Sequence, residues 1–432
     1  MKRFSEEGVL FPYQVPDEVI VRILYCGFQY ESEKKDDIRM CRLKVLSKNV
    51  KRIVDELMSD IESLPLQIEF ILSESDLIKL HRGIKVLRIA MYEPKTITSL
   101  KNLKEFSLSG TYENFPKGIE RLTISTEKSF LSIPLEVLSS LTNVTLIRYR
   151  HPLERICMMS NLTSLNIDYN REVTDKIIQS LPQLIHLSAR GTHIGNDAFI
   201  YSKNLKSLYI DQNKFVNRIS HLYNLEILSC NMYISSDDIE VMTSLKTLFH
   251  PEWYKISSSI KFLTKLEELQ IRGLEYHSIE NLPTSLTSLD IEWCIDTFSS
   301  ELLLTLTNLK KLSLPSSYEC VESNITNEAL SQMTSLTDLS LNGNCHIGDE
   351  GIVTLTNLRI LNLYKTPQIT RYALRKLTNL RTLELGHSVF TPHDLGCLPY
   401  LNKIWISSHD VYLWKETTIP SRINVEQHSV QK

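Results

Sequence analysis

Several features that would indicate an enzyme are missing from this 432-residue chain. Glycine occurs only 13 times, which is few for a protein built on phosphate-cradling turns. The sequence has no Gly-x-Gly-x-x-Gly or phosphate-loop motif, no Gly-x-Ser-x-Gly elbow and no His-Glu-x-x-His. We therefore expect no catalytic residues and no cofactor, and we predict that the chain is not an enzyme.

Signals for a membrane, a metal or nucleic acid are equally scarce. No stretch approaches the roughly 20 apolar residues that a membrane-spanning helix needs, and the amino terminus lacks the apolar run of a signal peptide. The formal net charge of −3 gives no global electrostatic reason to expect nucleic acid as a partner. The eight cysteines include no Cys-x-x-Cys pair, so we expect free thiols, no metal site and a cytoplasmic or nuclear location.

What the sequence does contain is one apolar motif, Leu-x-x-Leu-x-Leu, which recurs about once every 20 to 25 residues from position 84 to position 406. A clear copy is Leu358, Leu361 and Leu363. Two copies are irregular, and one of them reads Val144, Ile147 and Tyr149. Aligning the first apolar positions gives sixteen candidate units, which start at residues 84, 103, 119, 144, 162, 184, 205, 225, 245, 266, 286, 309, 336, 358, 380 and 401.

This period predicts an α/β leucine-rich repeat solenoid over residues 84–409, with a curved parallel sheet and short outer helices or 3₁₀ turns. Between the motifs, an Asp or Asn opens an apolar pattern, as in residues 173–181 and 347–355, and predicts a capped short helix. Polar side chains eight residues after the first leucine are expected to form a hydrogen-bonded ladder. They are Asn170, Thr192, Asn213, Cys294, Asn344, Thr366 and Ser388.

The remaining segments do not fit the repeat. Residues 1–57 have helical spacing and predict a small all-helical head, and residues 58–83 are predicted to connect or cap. Residues 410–432 are predicted to be a carboxy-terminal cap and tail. Within the head, Pro16 stands where a first helical turn tolerates proline, followed by Asp17 and Glu18 at the positive end of the helix dipole.

The segment Val15-Pro16-Asp17-Glu18-Val19-Ile20, followed about 25 residues later by Leu46-Ser47-Lys48, resembles the F-box of the F-box and leucine-rich-repeat protein family. Valine stands here where that family usually has leucine. The resemblance implies docking on a Skp-family adaptor and the cullin complex of an SCF-type ubiquitin ligase, with the repeats presenting a protein substrate and the chain monomeric outside the complex. The implied adaptor contacts are Val15, Pro16, Ile20, Ile23, Leu24 and Leu46.

A second interpretation of the head remains open. The same apolar residues would also pack on the first repeat, and the helices would then serve only as the amino-terminal cap of the solenoid. The protein would in that case be a protein–protein interaction scaffold with no link to ubiquitin.

Binding positions on the repeats follow from strand geometry. Side chains that alternate with the core leucines point away from the core, and most of them are small or polar here. Arginines and large aromatic residues, the types that dominate interface energetics, interrupt this pattern and predict a partner-binding patch on the concave face. The predicted patch consists of Arg190, Tyr209, Phe249, Trp253, Arg272 and Trp293. His250 replaces the last leucine of its motif, and we expect it to be buried with a backbone partner.

Overall fold

The structure is a computed structural model in which two compact units are distinguished. Described residues up to Leu122, together with 133–137, belong to unit 1, and residues 123–124 and those from Leu138 onwards belong to unit 2. The predicted helical head, residues 1–57, lies outside the described residues. The described residues are 66–67, 86–89, 103–108, 115, 117–124, 133–146, 153–250, 258–271, 282–291, 298–314, 325–386, 390–407 and 423–427.

Each of the sixteen sequence units carries a short β-strand. In fifteen of them the strand begins two residues after the first apolar position of the motif. The strands are β2 (Val86–Ile89), β3 (Glu105–Leu108), β4 (Arg121–Ile124), β5 (Asn143–Leu146), β6 (Ser164–Asn166), β7 (His186–Ser188), β8 (Ser207–Tyr209), β9 (Ile227–Ser229), β10 (Thr247–His250), β11 (Glu268–Ile271), β12 (Ser288–Ile291), β13 (Lys311–Ser313), β14 (Asp338–Ser340), β15 (Ile360–Tyr364), β16 (Thr382–Gly386) and β17 (Lys403–Ile406).

Two further strands lie outside the sixteen units. In unit 1, β1 (Leu66–Gln67) pairs in parallel with β2, and β2 pairs in parallel with β3. The segment predicted to connect the head to the repeats therefore contributes a strand. In unit 2, β18 (Asn424–Gln427) pairs in parallel with β17, so the carboxy-terminal tail adds a strand to the last predicted repeat.

The pairing within unit 2 is uniform. From β5 to β18 each strand pairs in parallel with the next strand in the chain, and equivalent motif positions stand opposite each other, as Leu165, Leu187 and Leu208 do. Parallel neighbours lie about 4.8 Å apart. The protein is a leucine-rich repeat solenoid, as the sequence predicts.

Apolar motif positions form the core. Leu358, Leu361 and Leu363 are completely buried, and the same holds within a few percent for equivalent residues of other repeats. Burying a leucine contributes roughly 1.5 to 3 kcal/mol. Because a single repeat has no second layer of its own, this burial exists only between stacked repeats.

The sequence prediction for the unit at residue 144 is wrong. Its strand, β5, is centred on Val144, and Leu141, Val144 and Leu146 are fully buried. The motif therefore starts at Leu141, and Val144 occupies its second apolar position instead of its first. With this correction the unit starts 22 residues after the unit at 119 and 21 before the unit at 162 (141 − 119 and 162 − 141). Ile147 and Tyr149 lie outside the described residues.

The segments between strands contain short helices with small apolar faces, such as Ile177 and Ile178. None of the helices in the described residues is long and apolar enough to cross a membrane. The α-helices are α1 (Leu135–Leu138), α2 (Asp175–Gln179), α3 (Ser236–Val241), α4 (Ser300–Thr305), α5 (Asn327–Ser331), α6 (Asp349–Ile352) and α7 (Arg371–Leu374). The 3₁₀ helices are η1 (Glu154–Met158), η2 (Asn196–Phe199), η3 (Ser258–Phe262) and η4 (Pro392–Cys397).

The Asp and Asn residues that open these helices act differently from the sequence prediction. Neither α2 nor α6 has a side-chain cap of its own. Instead, Asp175 Oδ1 accepts a hydrogen bond of 2.7 Å from the backbone N–H of Gly195, which precedes η2 in the next repeat. Asn327 accepts in the same way from Gly348, at 2.9 Å. These side chains join one repeat to the next. Stacking brings the unpaired backbone N–H groups that precede the helix of the following repeat within hydrogen-bond distance of them.

The side chains predicted to form the polar ladder are buried where they are described, and Asn213 and Thr192 form a ladder hydrogen bond between repeats. Asn170, Thr192, Asn213, Asn344 and Thr366 are all buried. Asn213 Nδ2 donates to Thr192 Oγ1 and to the carbonyl of Ile194, at 3.2 and 3.1 Å. Its Oδ1 accepts from the backbone N–H groups of Phe215 and Val216, at 2.8 and 3.1 Å. Cys294 and Ser388 lie outside the described residues.

We predict that Asn213→Ala destabilises the protein by about 3 kcal/mol, because buried backbone groups would lose their partners. The matched control is Asn204→Ala, which removes one exposed hydrogen bond to the carbonyl of Pro182 and should cost under about 1 kcal/mol. Urea unfolding followed by circular dichroism measures both. Equal losses in the two variants would contradict a buried ladder.

Candidate functional site

A row of three charged residues lies beside the strands of unit 2. Asp168, Arg190 and Asp211 occupy the same motif position, two residues after the ends of β6, β7 and β8. Arg190 Nε donates to Asp211 Oδ2 at 2.9 Å, and Arg190 Nη1 lies 3.8 Å from Asp168 Oδ2. The backbone N–H of Arg190 also donates to Asp168 Oδ1, at 2.9 Å. Two carboxylates therefore hold one arginine from both sides.

Tyr209 completes the support of this arginine. The guanidinium carbon of Arg190 lies 4.9 Å from the centre of the Tyr209 ring, a cation–π contact. The arginine side chain remains 38% exposed, whereas the two carboxylates are 18% and 13% exposed. The cluster thus presents the arginine and the tyrosine to solvent and keeps the acids beneath them.

Two serines fix the carboxylates. Ser188 Oγ donates to Asp168 Oδ1 at 2.7 Å, and Ser229 Oγ donates to Asp211 Oδ2 at 2.7 Å. The alternation along the motif predicts a solvent-facing side chain at Ser229, but this side chain is buried because it reaches across to Asp211. The serines orient acids that in turn orient Arg190.

Hydrogen bonding is less complete at the end of the row near Asp211. Asp211 Oδ1 and Asn231 Oδ1 are buried, and neither accepts a hydrogen bond from any residue in the described part of the chain. Burial, followed by the negative charge of Asp211, raises the pKa of the Cys230 thiol well above its usual range. This thiol therefore stays protonated and is a poor nucleophile.

Phe249 lies on the same face, two strands from Tyr209. Ser229 of β9 stands between them, opposite Tyr209 on one side and opposite Phe249 on the other. Two strand spacings correspond to about 10 Å between their Cα atoms. Two half-buried aromatic rings flank a small buried residue here. This stretch of the surface is therefore a shallow depression with an aromatic ring on each side.

His250 behaves as the sequence predicts. It is buried, and its Nε2 lies 2.9 Å from the carbonyl oxygen of Met232. The described residues contain no group of three His, Cys, Asp or Glu side chains that could hold a metal ion. His250 therefore contributes a core hydrogen bond.

Of the six predicted partner-binding residues, three are described. The structure brings Arg190 and Tyr209 into contact and places Phe249 two strands away. Trp253, Arg272 and Trp293 lie outside the described residues, as do all of the predicted adaptor contacts. Asp168 and Asp211 were missed, although an acid–base–acid alternation at one motif position was the signal that could have identified them.

A strip of exposed aromatic residues follows these strands and was also missed. Tyr169, Phe215 and Tyr233 are each about half exposed (49%, 53% and 52%) in turns after β6, β8 and β9. The ring of His193 meets that of Phe215 edge to face at 5.2 Å. Gly191 has φ +60°, and a Cβ there would lie 2.7 Å from Tyr169 Cδ1, so glycine lets the tyrosine pack across the next repeat.

A separate set of charges lies at the amino-terminal edge of the strands. Each of these residues directly follows the first apolar residue of its motif, a place called here the second motif position. Lys206 Nζ and Lys246 Nζ each lie 2.8 Å from one carboxylate oxygen of Glu226. These hydrogen bonds, with that from Lys206 the largest cause, lower the pKa of Glu226 to about 2. Along β8 to β10, the two lysines therefore share one carboxylate in an internal ion-pair ladder.

Comparison with known proteins found matches among solved structures. No protein-family model and no curated protein matches the chain. An internalin from Listeria monocytogenes matches with a TM-score of 0.47 and 21% identity, covering 69% of this chain and 90% of the internalin. A leucine-rich repeat protein from Leptospira interrogans matches with a TM-score of 0.45 and 21% identity, covering 80% of this chain and 93% of that protein.

We predict that replacing both lysines, Lys206→Met with Lys246→Met, returns the pKa of Glu226 from about 2 towards 4.5. The folded pKa lies below the unfolded one, so the ion pairs stabilise the fold fully above about pH 4.5 and lose this effect as the pH falls towards about 2. Carbon-13 NMR of labelled glutamate carboxyls measures the titration. The control Lys203→Met, a lysine without an ion pair to a described residue, should leave the pKa of Glu226 near about 2; a shift there would contradict the ladder.

Proposed function

We propose that this protein is a protein–protein interaction solenoid and that its partner binds the outward face of β7 to β10. The observation that carries the proposal is the held arginine. Arg190 is fixed by Asp168 and Asp211 and lies over Tyr209, yet it remains partly exposed. An arginine that is already ordered loses less conformational freedom on binding, so its contacts contribute more to affinity.

The neighbouring surface supports the same proposal. Tyr209 and Phe249 provide two aromatic walls about 10 Å apart, with Ser229 between them. The exposed rings of Tyr169 and Phe215 continue the apolar surface beyond the strand ends. Aromatic residues and arginine are enriched at the centres of protein interfaces, whereas scattered single apolar residues are common on any surface.

The test compares two tyrosines that differ in location. Proteins captured from native cells by the full chain are identified, and the affinity of the most abundant one is then measured with purified components. Tyr209→Ala should weaken this binding by about tenfold or more. Tyr201→Ala, an exposed tyrosine that follows η2 outside the sheet, should change it by less than about twofold.

Two results would contradict the proposal. Equal loss of affinity in Tyr209→Ala and Tyr201→Ala would show that binding does not depend on the strand face. Unchanged binding of Tyr209→Ala, Phe249→Ala and Arg190→Ala, with unchanged circular dichroism, would remove the proposed face. Unfolding measurements on each variant separate loss of binding from loss of fold.

We also propose a more specific role, as the substrate-recognition subunit of an SCF-type ubiquitin ligase in the cytoplasm or nucleus. Its support is the F-box-like sequence that precedes the repeats, which lies outside the described residues. Cys157, Cys230 and Cys397 form no disulfide with any residue in the described part of the chain, which is consistent with a reducing compartment. In this role the repeats would carry the substrate and the head would bind the adaptor.

We predict that a purified Skp-family adaptor binds the full chain and that Ile20→Asp or Leu24→Asp abolishes this binding, since a carboxylate would be buried in an apolar contact. Lys35→Asp, outside the apolar set, introduces the same acidic side chain and should have little effect. Isothermal titration calorimetry measures all four proteins. No heat of binding with the unmodified chain would leave the head as a cap and the protein as a scaffold alone.

A further inference from the structure

The second motif position forms a row along the amino-terminal edge of the unit 2 sheet. Its members are neighbours on adjacent strands, because the backbone N–H of each donates to the carbonyl of the one before: Glu226 to Lys206, Lys246 to Glu226, and Glu267 to Lys246. In this part of the row the charges alternate in sign. Lys206, Glu226 and Lys246 are joined by ion pairs, and with Glu267 this stretch of the row has two positive and two negative side chains.

Four repeats of the same row contain no acid. From β13 to β16 the row reads Lys310, Thr337, Arg359 and Arg381, linked by the same backbone hydrogen bonds. The three basic side chains are exposed. None of them forms an ion pair with a residue in the described ranges, in contrast to the lysines of β8 and β10.

Adjacent like charges on this edge oppose folding. Arg359 and Arg381 stand on neighbouring strands about 4.8 Å apart, and like charges placed directly opposite in a sheet are destabilising. Lys311, also exposed, adds a further positive charge beside Lys310. A negatively charged partner would remove this repulsion, whereas at β8 to β10 the chain supplies the opposite charge itself.

The face beside this row favours a protein over a nucleic acid. Ile360 is 45% exposed at the next position of β15, where it offers an apolar contact. Its neighbour across the sheet is Asp338, which stands opposite both Lys311 and Ile360. A carboxylate here would repel a continuous phosphate backbone, but a peptide can present acids to the edge and an apolar side chain to Ile360.

We propose that Lys310, Arg359 and Arg381 form a second interaction surface, which binds an extended acidic segment of a partner protein with an apolar residue seated on Ile360. This surface is distinct from the one around Arg190. Its partner contributes the carboxylates that this part of the row lacks. Binding is accordingly sensitive to ionic strength, because the charges on both sides are exposed.

The test uses a short fluorescein-labelled peptide of alternating glutamate and serine with one central leucine, and fluorescence anisotropy with the full chain. We expect Arg359→Gln with Arg381→Gln to weaken binding by about tenfold. The matched control, Lys206→Gln with Lys246→Gln, changes the net charge by the same amount but removes lysines that are already paired, and should change binding by less than about twofold. The same peptide with glutamine in place of glutamate should not bind.

Three outcomes would overturn the proposal: no binding of the acidic peptide by the unmodified chain, equal weakening by the two double variants, or tighter binding of a single-stranded oligonucleotide than of the peptide. Thermal unfolding controls for folding, and removal of the two arginines should not lower the melting temperature because it removes a repulsion. Failure of this test would leave the proposed function around Arg190 and Tyr209 unaffected, since none of its residues is changed.

Discussion

The stacking of each repeat on the next determines the remaining features of unit 2. A repeat has no second layer to cover its own leucines, so its burial, its strand pairing and its polar links are all formed with neighbours. Asp175 illustrates this dependence, because it satisfies a backbone N–H of the following repeat and not of its own helix. Stability is therefore a sum over adjacent pairs, and a defect in one repeat weakens both of its interfaces.

Stacking also converts position in the motif into position in space. Residues about one repeat apart in sequence become neighbours on adjacent strands, about 4.8 Å apart. Asp168, Arg190 and Asp211 meet in this way, as do Lys206 and Glu226. A side chain on this surface is consequently best understood by reading down one motif position, because its chemical environment comes from equivalent positions in the repeats on either side.

The sequence predicts the parts of the structure that a single repeat determines. Strand positions follow from the leucine spacing, and the buried ladder residue Asn213 follows from its fixed place after the strand. The error at residue 144 arose where apolar residues at Leu141, Val144, Leu146 and Ile147 allow two registers, and the burial of Leu141 and the pairing of Val144 with Leu165 distinguish them. Cross-repeat links such as that of Asp175 escaped prediction because their partners lie a full repeat away.

The two proposed surfaces differ in how their charges are compensated, and this difference assigns them different partners. Arg190 already has two carboxylates, so a partner gains little by adding a third and more by covering the exposed guanidinium plane and the Tyr209 ring. Arg359 and Arg381 form no ion pair with a described residue, so a partner that contributes a carboxylate gains binding free energy from the new ion pair. Local charge balance, read position by position, is more informative here than the net charge of −3.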